Sequence, residues 1–159
     1  MPFSPSGYSL ADGRQSETAL SVARGARRLL RSFGYSSLTE VTLASGRRAD
    51  LLALAGNGEI HIVEIKSSLA DFRADQKWPE YREFCDRFYF AVPPDFPLEV
   101  IPQEAGLIVA DSYGAEVQRA APEHKIAPAR RRAVLLRFAQ VAADRLHLLA
   151  DPDNPWTPG

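Results

Sequence analysis

Three charged residues stand inside apolar stretches of this sequence. Asp50 lies in the stretch 48–54, and Glu64 and Lys66 lie in the stretch 60–66. An unpaired charge in apolar surroundings costs several kcal/mol or changes its protonation state, so packing alone does not account for these residues. Two carboxylates beside an ammonium group suit a hard divalent cation next to a phosphate ester. The residue types therefore favour metal-dependent hydrolysis of a phosphodiester.

A predicted β-hairpin sets the spacing of these groups. The segment 56–58, Gly-Asn-Gly, is a turn signal between the two stretches. If all three residues form the loop, Asp50 lies opposite Glu64 with Cβ atoms about 5 Å apart. Lys66 lies two residues beyond Glu64 and points to the same face. A two-residue loop would place the two acids on opposite faces, so the metal site requires the three-residue loop or a compensating bulge.

A second predicted hairpin adds a third carboxylate. Residues 38–43 alternate between β-branched or apolar and polar types, and 44–46 form a turn signal. With a three-residue loop Glu40 lies opposite Asp50, which makes it a further candidate metal ligand. The alternative is that Glu40 is a solvated residue near a strand end.

The composition is that of one soluble globular domain. The chain has 159 residues, 45% of them hydrophobic, and a net charge of −1. We predict a single domain over 15–150, between flexible tails at 1–14 and 151–159. Cys85 is the sole cysteine, which excludes an internal disulfide and a cysteine-based zinc site. No secretion signal or membrane span is evident, so the expected location is cytoplasmic, with no membrane partner.

The predicted elements give an α/β mixed sheet flanked by helices. A first helix over 16–33, capped by Ser16, precedes three strands joined by hairpins. A helical crossover at 68–86, at whose start Ser68 and Asp71 resemble a capping box, lets the next strand run parallel to the third. A long helix begins at Pro128. The other predicted elements are strands at 37–43, 47–54, 59–66, 88–92, 106–110 and 115–119, and a buried face of the last helix formed by Leu135, Phe138, Ala139, Ala142, Leu146 and Leu149.

This arrangement resembles two families. The αβββαβ order, with Asp50 on the second strand and Glu64-Ile65-Lys66 on the third, resembles the PD-(D/E)XK restriction-endonuclease-like fold over about residues 16–92. Ala49 stands where that motif often has proline. Nearly the whole chain resembles the bacterial MmcB-related DNA repair proteins, on the segments 46–50, 63–68, 75–81, 85–93 and 106–111.

The resemblance implies a role in DNA repair and a set of functional residues. Asp50 and Glu64, with the carbonyl of Ile65, would bind Mg²⁺ or Mn²⁺, and Lys66 would position a water and stabilise the transition state. DNA is the implied partner; a repair-protein partner and a homodimer stay open. The candidate nucleic-acid-binding residues are Arg48, Ser67, Gln76, Lys77, Tyr81, Arg24 and Arg28.

Each of these binding assignments has a structural alternative. Trp78 and Tyr81 would pack on the sheet, and the arginines of the first helix and of 130–132 would be solvated helix faces. Three functions therefore remain open. They are a metal-dependent DNA endonuclease, a non-catalytic DNA-binding repair factor that acts through partners, and an RNA-processing or transposase-like nuclease of the same fold.

Overall fold

The protein is represented by a computed structural model that describes residues 10–153, with side chains described from residue 17 onward. Its central feature is one six-stranded sheet. The helices are α1 (Leu10–Ser32), α2 (Leu69–Ala74) and α3 (Pro128–Ala150), with short 3₁₀ helices at Trp78–Phe84 and Leu98–Val100. The strands are β1 (Ser36–Thr42), β2 (Arg48–Leu54), β3 (Ile60–Ile65), β4 (Arg87–Val92), β5 (Gly106–Ala110) and β6 (Ala115–Arg119).

The strands lie in the sheet in the order in which they occur along the chain. β1, β2 and β3 are antiparallel neighbours, β3, β4 and β5 run parallel, and β6 is antiparallel to β5. α2 and the 3₁₀ helix Trp78–Phe84 form the crossover from β3 to β4, as a parallel pair requires. The predicted mixed sheet flanked by helices is confirmed, and it is consistent with a restriction-endonuclease-like fold.

Helices cover both faces of the sheet. On one face, Val22, Ala26 and Leu30 of α1 pack against residues of β2 to β5. On the other face, the packing side chains come from α2, the 3₁₀ helix and α3, including Phe72 and Val134. The central strands are buried on both sides because each face has its own apolar core.

Gly25 allows α1 to approach the sheet closely. A Cβ atom at this position would lie 2.0 Å from the carbonyl oxygen of Asp111 and 2.4 Å from that of Gly114. Both oxygens belong to the turn between β5 and β6. Any side chain larger than hydrogen would therefore push α1 away from this turn.

Two predictions about the helices are wrong. α1 begins at Leu10, so residues 10–14 are helical and Ser16 lies inside the helix instead of capping it. In α3, Ala139, Leu146 and Leu149 are exposed, although all three were predicted to be buried. The apolar contacts of α3 with the core end at Val141.

The first nine residues and the last six lie outside the described part of the chain. The predicted tails and domain boundaries beyond these limits stay predictions. Among the helices that are described, none combines the length and the apolar character needed to cross a bilayer.

Candidate active site

The β2–β3 hairpin has the predicted register. Leu51 pairs with Val63 and Leu54 with Ile60, which is the register set by a three-residue loop. The backbone N–H of Ala55 donates to the carbonyl of Glu59 at 2.9 Å and closes that loop. The turn needs a left-handed residue, which glycine provides at position 58 with a φ of +87°. Asp50 and Glu64 therefore face each other on adjacent strands.

The two carboxylates replace backbone hydrogen bonds at the end of this hairpin. The N–H of Asp50 donates to Oε1 of Glu64 at 3.0 Å, and the N–H of Ile65 donates to Oδ2 of Asp50 at 2.8 Å. Regular pairing of β2 with β3 stops one residue earlier, at Leu51 and Val63. Each carboxylate is thus anchored by the backbone of the opposite strand.

Strand geometry is irregular around Asp50. Ala49 and Leu52 pack in the same core although strict alternation would place them on opposite faces. The β1–β2 ladder continues on both sides of this point, but the pair Glu40–Asp50 is missing from it. Glu40 itself has a φ of +51°, in the left-handed region that non-glycine residues seldom adopt. The backbone therefore departs from a regular strand at the predicted third acid.

Glu40 is accordingly not part of the buried acidic pair. Its side chain is 65% exposed, and its carboxylate lies 3.9 Å from the guanidinium of Arg48, which is also exposed. The structure brings these two predicted site residues together at the surface, beside the strand that carries Asp50. The sequence pattern placed Glu40 opposite Asp50 because it assumed a regular strand.

Burial dominates the electrostatics of the pair. Glu64 is 6% exposed, and burial together with the nearby Asp50 carboxylate raises the pKa of Glu64 to about 9. Burial also raises the pKa of Asp50, against the opposing effects of the Ile65 N–H and the Lys66 charge. The pair therefore holds a proton at neutral pH in the absence of a cation. A divalent cation would replace that proton.

Lys66 is buried beside the acids without a direct partner. It is 7% exposed, and its backbone N–H donates to the carbonyl of Ala91 at 3.0 Å. Its ammonium group makes no ion pair within 4 Å in the described part of the chain. Its charge nevertheless opposes the rise in the pKa of Asp50, and it adds to the Lys77 N–H in lowering the pKa of Asp75. The Lys66 side chain therefore lies near several acids and is still available to an anionic ligand.

The start of α2 borders the site. Ser68 caps this helix by accepting a hydrogen bond from the N–H of Asp71 at 3.1 Å, as the sequence spacing predicted. The carboxylate of Asp71 accepts hydrogen bonds from the N–H and the hydroxyl of Ser67, at 2.9 and 3.3 Å. Ser67, a candidate DNA contact, is thus held by Asp71 directly after Lys66.

Tyr81 packs on the sheet and also faces the site. Its ring stacks on Phe88, and its hydroxyl donates to the carbonyl of Arg48 at 3.0 Å. Burial and the nearby Glu64 carboxylate raise the pKa of Tyr81 to about 12, so the hydroxyl keeps its proton. Trp78 stacks on the same ring of Phe88. The structural alternative given above therefore describes both aromatic residues.

The remaining candidates are dispersed. Gln76 and Lys77 follow α2 and are exposed, and the Gln76 amide donates to the carbonyl of Phe72 at 2.5 Å. Arg24 and Arg28 are exposed as predicted, but they lie on α1, which covers the other face of the sheet. The structure does not bring these two arginines to the acidic pair.

Sequence reasoning missed one buried acid. Asp86 is 2% exposed, and it accepts hydrogen bonds from the backbone N–H groups of Ile60 and Ile126 and two from the guanidinium of Arg131. The only sequence signal was an acidic residue directly before the apolar strand β4. Arg131 is therefore not part of a solvated helix face, because its charge is paired with Asp86 inside the protein.

The other titratable residues near the core are structural. His61 is buried beside Glu59 and stacks on Tyr89. Burial raises the pKa of Cys85 to about 12, which makes the thiol unreactive. Within residues 10–153 no cluster of three or more histidine, cysteine or acidic side chains is placed to hold a metal.

Comparison with known proteins identifies a family and a similar solved structure. The family described as DNA repair protein MmcB-like matches residues 7–153. A solved structure of the SPO1766 protein of unknown function from Silicibacter pomeroyi shares 46% sequence identity, with a TM-score of 0.85. That match covers 89% of this chain and 97% of the other. No curated protein matches this sequence.

Proposed function

This chain belongs to the MmcB-like family of DNA repair proteins, and from this premise we propose that it is a metal-dependent endonuclease of the PD-(D/E)XK type. The observation that carries the proposal is the buried pair Asp50–Glu64 with Lys66 beside it. A protein that only binds DNA gains nothing from two adjacent carboxylates whose pKa values are both raised by burial. A cation between them makes the arrangement favourable.

The donor set fits Mg²⁺ or Mn²⁺. Asp50 and Glu64 supply hard oxygen ligands, and the carbonyl of Ile65 is a third candidate. Mg²⁺ is commonly held by one or two carboxylates together with waters and substrate phosphates, so a larger protein cage is not required. When bound, the metal would activate a water for attack on the phosphodiester. Glu40 is too exposed in this structure to be counted among the ligands.

The surrounding residues have separate tasks in this proposal. Lys66 binds and stabilises the charge that develops on the phosphate, because its side chain is largely buried beside the acids and its ammonium group makes no ion pair within the described residues. Tyr81 holds the backbone of Arg48 in place, while the Arg48 side chain reaches solvent. Ser67, Gln76 and Lys77 lie along the start of the crossover, where a DNA backbone could be contacted.

A non-catalytic DNA-binding repair factor is the second candidate. The net charge of −1 favours it, since sequence-independent DNA binding usually relies on excess positive charge. Such a factor would bind DNA equally well with or without the acidic pair. The two candidate functions therefore predict different results in cleavage assays.

Cleavage assays separate the two candidates. Purified protein is incubated with branched, gapped, single-stranded and duplex DNA in Mg²⁺, Mn²⁺ or EDTA. We expect metal-dependent cutting that falls about 10²–10³-fold in Lys66→Ala, with DNA affinity within a few-fold, because Lys66 acts mainly on the transition state. Asp50→Asn should also lose cleavage, together with Mn²⁺ binding in calorimetry.

Exposed residues of the same type provide the controls. Lys125→Ala and Asp95→Asn remove the same groups at exposed positions and should cut at the wild-type rate. Wild-type protein that cuts no substrate with any metal would overturn the nuclease proposal in favour of the binding factor. Equal cutting by Asp50→Asn and wild type would remove the acidic pair from the mechanism.

A further inference from the structure

We propose that the groove between α1 and β1 binds a single strand of DNA and leads it toward the candidate active site. The proposal deepens the function proposed above and rests on it for the nature of the ligand. The groove has a volume of about 710 Å³. Its lining includes Leu20, Arg24 and Arg31 of α1, and Tyr35, Ser36 and Thr39 on the β1 side.

The groove is strongly positive. Four arginines of α1 line it, at 24, 27, 28 and 31, and no acidic residue does. Two of these arginines are fixed by the protein: Arg27 donates to the hydroxyl and carbonyl of Ser37, and Arg28 donates to the carbonyl of Tyr113, each at 3.1 Å. Uncompensated charges in a concave surface attract an anionic backbone.

The other two arginines are available to a ligand. In the described part of the chain, the side chains of Arg24 and Arg31 make no hydrogen bond and no ion pair. They lie two turns apart on the same helix face, about 10 Å along the helix axis. This spacing lets one extended chain of phosphates meet both guanidinium groups.

The groove favours a single strand over a duplex. Its walls are one helix and the edge strand of the sheet, so the arginines face into a concave channel. A duplex presents its phosphates on a wide convex surface and cannot enter such a channel. A single strand can enter, and its bases need apolar or aromatic surface. Leu20, which is 68% exposed, and the partly buried Tyr35 provide that surface.

One end of the groove lies beside the edge of the sheet that borders the candidate active site. α1 and β1 are consecutive elements and run in opposite directions along the groove. Arg31 of α1 therefore lies near the start of β1, and Leu20 lies near Thr39. Thr39 lines the groove, and the next residue, Glu40, pairs with Arg48. Arg48 is two residues from Asp50 on β2. A strand that left the groove at Thr39 and passed round this edge of the sheet would meet the ion pair before the acidic pair on the opposite face.

Fluorescence anisotropy tests the groove without cleavage. A labelled 20-nucleotide single strand, its duplex and an RNA of the same sequence are titrated in EDTA at several salt concentrations. We expect the single-stranded DNA to bind most tightly. Arg24→Ala with Arg31→Ala should weaken its binding roughly tenfold at low salt and lower the salt slope by about 1.4, because two phosphate contacts are lost.

A matched double variant controls for net charge. Lys125→Ala with Arg132→Ala removes two exposed cations elsewhere and should leave affinity and slope unchanged. Tighter binding of duplex or RNA, or an unchanged slope in the groove variant, would overturn the proposal. EDTA removes the metal, so this assay measures binding without cleavage. If single-stranded DNA binds in the groove and the protein cuts no substrate, the nuclease proposal is overturned and the groove proposal is not.

Discussion

Two buried acidic sites in the same sheet are built in opposite ways. Asp86 meets a guanidinium and two backbone N–H groups, so its charge is fully compensated. Asp50 and Glu64 meet each other, with Lys66 nearby but outside ion-pair distance. Although burial opposes ionisation, the hydrogen bonds from Arg131, Ile60 and Ile126 lower the pKa of Asp86. Burial raises the pKa of both Asp50 and Glu64, and the nearby Asp50 carboxylate raises that of Glu64 further.

The difference in how the two acidic sites are compensated indicates that they have different roles in the protein. A buried carboxylate with all its partners inside the protein has no capacity left for a ligand. A buried pair with raised pKa values is stable only when protonated or when a cation is bound. The first site stabilises the fold, and the second is a place where the fold tolerates an unfavourable arrangement.

The largest expected effect is at the compensated site. Asp86→Ala leaves Arg131 and two backbone N–H groups without their partner, and we expect the free energy of unfolding to fall by about 3–5 kcal/mol. Urea denaturation measures it. The matched control is Glu123→Ala, which removes an exposed acid 3.7 Å from Arg87 and should cost under about 1 kcal/mol. Equal losses in the two variants would contradict the structural role of Asp86.

The acidic pair and Asp86 should affect the stability of the protein in opposite directions as pH changes. The pKa of Glu64 is about 9 in the folded protein and near 4.5 when unfolded, so the folded state binds more protons between these values. In EDTA the free energy of unfolding should therefore fall as pH rises between these values. The contribution of this pair to the fall is at most about 1.4 kcal/mol per pH unit. Asp86, whose pKa is lowered, contributes stability that is lost as pH falls instead.

Glu64→Gln isolates this contribution. The amide does not titrate, so the stability difference between variant and wild type should move in favour of the variant from pH 5 to pH 9. Urea denaturation in EDTA at several pH values measures the difference. A constant difference across this range would show that Glu64 is ionised in the folded protein.

The smallest effect concerns the residue that joins the site to the core. Tyr81→Phe removes the hydroxyl that donates to the carbonyl of Arg48 and keeps the stacked ring. We expect a loss of about 1 kcal/mol, measured by urea denaturation. Tyr113→Phe, at an exposed tyrosine, is the control and should be neutral. A loss as large as that of Asp86→Ala would mean that Tyr81 holds more of the site than one hydrogen bond.

Short-range sequence patterns were sufficient to predict the fold and the position of Asp50 opposite Glu64. Turn residues at 56–58 set the hairpin register, and a two-residue period then placed Asp50 opposite Glu64. The crossover helix followed from its cap at Ser68 and from the need to reverse direction before a parallel strand. These features depend on neighbours in the sequence, which is why a single sequence was enough to predict them.

Long-range contacts were out of reach of such patterns. The left-handed conformation of Glu40 has no signal in its residue type, and it moved the predicted third acid to the surface. The pair Asp86–Arg131 joins residues 45 positions apart. The last turns of α3 have the apolar period of a buried helix, but the core ends before them. For Asp86, the deciding partner is far away in the chain.

Gly25 has a consequence for the energetics of any ligand on the α1 face. Because α1 is held against the carbonyl groups of the β5–β6 turn at its midpoint, the helix is positioned when the protein folds. The entropy of ordering this wall is therefore lost during folding and not during association. A ligand that meets a wall already in place needs fewer contacts to reach a given affinity.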